Sequence, residues 1–158
     1  SPKSLRYGKR EFIIFPYLIK RGKIIRMTEI EFQERFPGIR NYLTLYEDKL
    51  LSRDRDKSCK WFEYGRSQAL GLVNKEKLLI STIITNTVLV YSLKRQDIPY
   101  SGLIITKLSN SGLSLSIAKK ILQSRDFLNY VRSIGVPLNG NSVRITSKDI
   151  ENFTFREI

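Results

Sequence analysis

A chain of 158 residues, 41% apolar and 27% charged, can build one domain with its own core and is too apolar for a disordered segment. Lys and Arg outnumber Asp and Glu by 28 to 15, a net charge of +13, which favours a polyanionic partner. There is no His, Cys59 is the lone cysteine, and no apolar run reaches the roughly 18 residues of a membrane span, so His-based zinc sites, Ser-His-Asp triads, internal disulfides and a spanning helix are excluded and the cytoplasm is the expected compartment.

In chain order, residues 1–10 read as a linker, cationic and without the apolar stretch of a signal peptide. "FIIFPYLI" at 12–19 has the apolar density of a buried strand, limited or bent by Pro16. Thr28 with Glu31 forms a capping-box pattern that opens a short helix, and Pro37 and Gly38 end it. Ile39, Tyr42, Leu43, Tyr46 and Leu50 then recur on a helical stripe, predicting a second helix over 38–51. "SRDRDKSCK" at 52–60 alternates in charge without apolar periodicity and reads as an exposed loop.

Beyond it, "KLLISTIITNTVLVYSL" is rich in β-branched residues, with a turn at 85–87, and "GLIITK" at 102–107 reads as another strand. Leu115, Ala118, Ile121, Leu122, Leu128, Val131 and Ile134 share one helical face, predicting one longer helix near 113–135 that Gly135 and Pro137 stop. A turn at 139–141, a strand "SVRIT" and a capped turn "SKDIENF" close the chain. The fold class expected is α+β: a single compact domain at 11–158, with a mixed or mostly antiparallel sheet, two short N-terminal helices and one longer helix.

Chemistry is sparse. There is no Pro-Pro pair for the Asn/Asp-Pro-Pro-aromatic segment of an amine methyltransferase, and no GxxxxGK[ST] phosphate loop. Glu47-Asp48-Lys49 has the acid-x-Lys spacing of many metal-dependent nucleases, but a two-residue pattern arises by chance, and on the predicted second helix a solvated face with local charge pairing is the reading that it favours. A binding surface remains. Arg53, Arg55, Lys57 and Lys60 project from the charged loop, and "WFEYGRSQ" follows with Arg66, Ser67 and Gln68, whose side chains can bond phosphates or base edges. Trp61 and Phe62 either stack on a base or pack beneath the loop, and Arg66 either contacts DNA or pairs with a carboxylate such as Glu63. Loops around Lys107, Asn110, Asn139, Asn141 and Arg144 form a second group of candidates.

"FIIFPY", "RFPGIRNYLTLYEDKLLSRD", "KWFEYGRSQ", "AKKILQSRDFLNYVRSIG" and "PLNGNSVRITSKDIENFTF", in this order over nearly the whole chain, resemble the TaqI-like C-terminal specificity domain of N6-adenine DNA methyltransferases. The resemblance implies a non-catalytic target-recognition domain that clamps double-stranded DNA and reads its sequence. An upstream methyltransferase domain would bind S-adenosylmethionine and methylate a flipped adenine, so no cofactor is expected within these residues. It leaves open a recognition domain of a fused restriction-modification nuclease or of a separate specificity subunit. Base-reading positions vary within such a family, so none is carried over to a particular base.

Overall fold

The computed structural model describes residues 1–9 and 11–155, with backbone alone for Gln68 and Ala69. The protein is α+β with antiparallel sheets, and its chain divides into two units, Phe12–Asn74 being inserted between Ser1–Glu11 and Lys75–Ile158. Each unit has its own apolar cluster, a separation that length and composition do not announce.

In the inserted unit, β1 (Tyr17–Lys20) and β2 (Lys23–Arg26) form a hairpin. Its two turn residues, Arg21 and Gly22, both have positive φ (48° and 75°), the twist that a two-residue connection needs. The strand expected at 12–19 therefore begins only after Pro16, which has no N–H for a ladder, and Phe12 and Ile13 are exposed. Thr28 caps α2 (Glu29–Arg35) through the capping box expected: its hydroxyl accepts from the Glu31 N–H at 3.1 Å, and the Glu31 carboxylate accepts from the Thr28 N–H at 2.8 Å. Pro37 opens α3 (Pro37–Thr44).

The single helix expected over 38–51 is two, α3 and α4 (Glu47–Ser52). Thr44 donates its hydroxyl back to the Arg40 carbonyl at 2.9 Å, a bond that weakens a helix from within, and Glu47 and Asp48 then open a fresh first turn where negative charge is favoured. Met27, Phe32, Trp61 and Phe62 form this unit's core, with the Phe32 and Phe62 rings stacked at 4.2 Å. A 3-10 turn over Gln68–Leu72 completes it.

In the other unit, residues 1–10, read as a linker, contain α1 (Pro2–Arg6), opened by Pro2 at its first position and by the Ser1 hydroxyl, which accepts from the Ser4 N–H. A three-stranded antiparallel sheet has β3 (Lys77–Ile80) between β5 (Val90–Leu93) and β6 (Leu103–Thr106). All four β3 residues are buried, so both faces of the strand are covered. Leu78 and Ile80 enter the core, while Leu79 on the opposite face lies where Gly102 and Pro2 of α1 approach. A second sheet has β8 (Ser142–Arg144) between β4 (Ile83–Ile84) and β7 (Val136–Leu138).

The helix expected over 113–135 is also two, α5 (Leu115–Leu122) and α6 (Arg125–Ile134). Ser124 starts the second, its hydroxyl accepting from the Phe127 N–H at 3.1 Å. The apolar stripe runs on through the break because Leu122, Phe127 and Val131 enter one core. Asp149 forms a capping box with Thr146 and opens α7 (Ser147–Glu151). No helix among the described residues is long and apolar enough to cross a membrane.

Candidate nucleic-acid interface

The loop nominated first, 53–68, is held together by its own charges. At its centre is Glu63, whose side chain is fully buried and receives four bonds: two from Arg26 Nε at 2.9 and 3.1 Å, one from Arg26 Nη2, and one from the Lys60 N–H at 2.9 Å. Burial pushes this carboxyl up, yet the Arg26 bonds and the Lys60 N–H outweigh it and hold Glu63 below the usual carboxylate range. Arg53 turns inward to donate to the carbonyls of Trp61 (3.1 Å) and Glu63, and its Nε is buried without a partner among the described residues. Arg55 donates to the Cys59 carbonyl, and Lys60 Nζ to that of Met27.

Arg66 is exposed, paired with Asp54 and, at 3.3 Å, with Asp56, so Glu63 is the partner of Arg26 and not of Arg66. Asp56 also accepts the Ser67 N–H at 3.1 Å and hydroxyl at 2.9 Å, the bonds that most lower its own carboxyl. Trp61 and Phe62 are buried, so they support the loop. Lys57 is the nominated cation of this stretch that is exposed and has no bond among the described residues; the Gln68 side chain lies outside them. Four of the five nominated cations here thus have partners inside their own unit, a commitment that residue type alone does not reveal.

The second group lies in the other unit. Lys107 and Asn110 are exposed in the segment after β6, Asn139 and Asn141 at the β7–β8 turn, and Arg144 on β8. Asn141 also takes the left-handed conformation (φ 57°), so it has a backbone duty in the turn.

Charge is unequal between the units. Ser1–Glu11 with Lys75–Ile158 carries 16 Lys and Arg against 7 Asp and Glu, a net of +9, and Phe12–Asn74 carries 12 against 8, a net of +4. In the first, Glu11 accepts from Ser4 and Tyr100, Asp97 from the Lys94 N–H, and Asp149 from Thr146. The ion pair between its side chains among the described residues is Arg95 with Glu76, at 3.6 Å. Glu11, Asp97 and Asp149 thus satisfy N–H and hydroxyl groups, and with 16 cations to 7 acids most lysines and arginines of the unit have no carboxylate partner among the described residues. One lysine is internal: Lys77, 1% exposed, gives its ammonium to the carbonyls of Lys94, Arg95 and Asp97 at 3.0–3.3 Å, and burial pulls its pKa down.

Within this unit a groove of about 380 Å³ runs between α1 and the segment from Ser81 to Tyr91. Lys3, Arg6 and Tyr7 form one wall, Asn86 and Thr87 the other, and no acidic residue lines it. Lys3 and Arg6 fall in the stretch read as a linker; the signal for them was Ser1-Pro2, an N-cap followed by proline at the first helical position.

Glu47 and Asp48 stand in the first turn of α4, and no group of three His, Cys, Asp or Glu positioned to hold a metal ion occurs among the described residues. No protein-family model matches the sequence, and no curated protein matches it either.

Proposed function

We propose that this chain is a DNA-binding module that reads duplex sequence as the target-recognition part of an N6-adenine methyltransferase, with S-adenosylmethionine and the transfer chemistry belonging to a separate catalytic domain. The single observation that carries the binding reading is the +9 unit, in which Glu11, Asp97 and Asp149 are taken up by hydroxyl and N–H donors and the exposed cations far outnumber the acids left to pair with them. Target recognition rests on the resemblance of the five quoted segments. In such a clamp, phosphate contacts fix register and base-edge contacts select the site, while contacts made only with distorted DNA offset the few kcal/mol of unstacking a flipped base. Alone, the module binds weakly.

Selection from a random duplex library tests this reading. Enrichment of one short sequence supports recognition; recovery of bound duplexes with no sequence preference removes the recognition role and leaves general DNA affinity.

A further inference from the structure

The geometry points to the groove beside α1 as the seat of one DNA strand, with Lys3 and Arg6 on its phosphates and Arg144 on the same strand beyond the facing wall; this inference rests on the DNA-binding reading above. The groove lies wholly within one unit. Its two cations, Lys3 and Arg6, stand three residues apart on α1 and therefore on one side of the helix, and both are exposed. Arg144 does not line the groove but stands on the strand next to its facing wall. It pairs directly across the ladder with Ile83, which lines the groove and is exposed, and residues directly opposite in an antiparallel pair share a face of the sheet.

The groove's other lining suits a nucleotide strand. Tyr7 is 66% exposed at the rim, where its ring can lie against a sugar or base and its hydroxyl can donate to a phosphate oxygen. Asn86 and Thr87 supply uncharged donors on the facing wall, and no lining carboxylate repels a phosphate.

The α1 wall is also preorganised. Ser4 is buried and donates to Glu11 Oε2 at 2.6 Å, and Tyr100 donates to the same oxygen at 2.9 Å. These two bonds anchor the helix to the segment before β6 and occupy Glu11 Oε2. Lys3 and Arg6 are thereby presented from a fixed backbone, so binding need order only their side chains.

The test is a fluorescence-anisotropy titration of a labelled duplex across a range of salt, with the intact 158-residue chain and its variants. Every phosphate that a variant leaves unneutralised should flatten the log affinity against log salt slope by about 0.9. Lys3→Ala with Arg6→Ala should flatten it by about 1.8 and weaken all duplex sequences alike, Arg144→Ala should remove a further 0.9 or so, and Lys3→Arg should restore its share. Lys49→Ala, on α4, should match the wild type. If the wild type shows a steep slope and the double variant, folded by circular dichroism, keeps it, the groove is not the seat although the DNA reading stands. If the wild type shows no salt-dependent binding, both fall.

Discussion

Arg26 on β2 and Glu63 in the loop that follows Trp61 form a two-pronged ion pair, Nε to Oε1 at 2.9 Å, around which the inserted unit closes. The Glu63 side chain is fully buried and that of Arg26 is 40% exposed, so the pair joins a buried charge to one that still reaches water. Removing Arg26 leaves the carboxylate buried with the Lys60 N–H as its remaining partner. Arg26→Ala is expected to cost about 3 kcal/mol, and Arg26→Lys to recover little, because an ammonium cannot reproduce the fork. The sole tryptophan, Trp61, lies in the same core, so its fluorescence during urea unfolding reads the effect directly.

Glu63 and Tyr64 each give the inserted unit a pH dependence. The Glu63 carboxyl is held below its ordinary value in the folded chain, so the unfolded chain binds the proton more readily. Its stabilisation is complete above the ordinary carboxylate range and is lost as pH falls through the folded value. At the alkaline end, burial first and the neighbouring Tyr17 second push the Tyr64 phenol up to about 12, while its hydroxyl donates to the Ile14 carbonyl at 2.8 Å. Here the folded chain keeps a proton that the unfolded chain releases, so stability falls as pH rises from about 10 towards 12. Urea midpoints by Trp61 fluorescence should decline at both extremes, and Tyr64→Phe should lessen the alkaline decline, the remainder coming from Tyr17, whose phenol burial also pushes up.

Gly102 has φ +94° beneath α1, and a Cβ there would stand 2.7 Å from the Ile80 carbonyl oxygen and 2.9 Å from both Leu79 Cδ1 and Pro2 Cγ. Both the backbone conformation and the space demand glycine. Gly102→Ala should destabilise its unit by at least about 2 kcal/mol, seen as a lower melting temperature by circular dichroism.

Arg53 and Arg66 separate loop architecture from DNA contact. Arg53→Ala frees two carbonyls near the core and is expected to cost about 1–3 kcal/mol while leaving the salt slope of DNA binding unchanged. Arg66→Ala, which also strips Asp54 and Asp56 of a partner, should leave the slope within about 0.3 of the wild type, because two carboxylates already neutralise that guanidinium.

Much of the architecture was legible where a local rule decides it. The Thr28–Glu31 capping box, the β-branched strands at 77–93 and 103–106 and the final capped turn follow from side chains within a few residues of each other. The two helix breaks, at 45–46 and 123–124, were hidden because an apolar stripe records which core a segment faces and not whether its hydrogen bonds are continuous. The partners of the loop cations were hidden for a different reason. Arg26 meets Glu63 across 37 positions and Lys60 meets the Met27 carbonyl across 33, and no local pattern encodes such pairings. Of the candidate surface, Arg144 could be named from the sequence, whereas Lys3 and Arg6 required seeing that residues 2–6 fold as a helix against their own unit.

The most direct measurement of the central claim is the affinity of the unmodified chain for duplex DNA as salt is raised. If its uncompensated cations neutralise about six phosphates, log affinity falls against log salt with a slope near −5. A slope indistinguishable from zero, or no binding even at the lowest salt, would contradict the claim that this surface engages DNA.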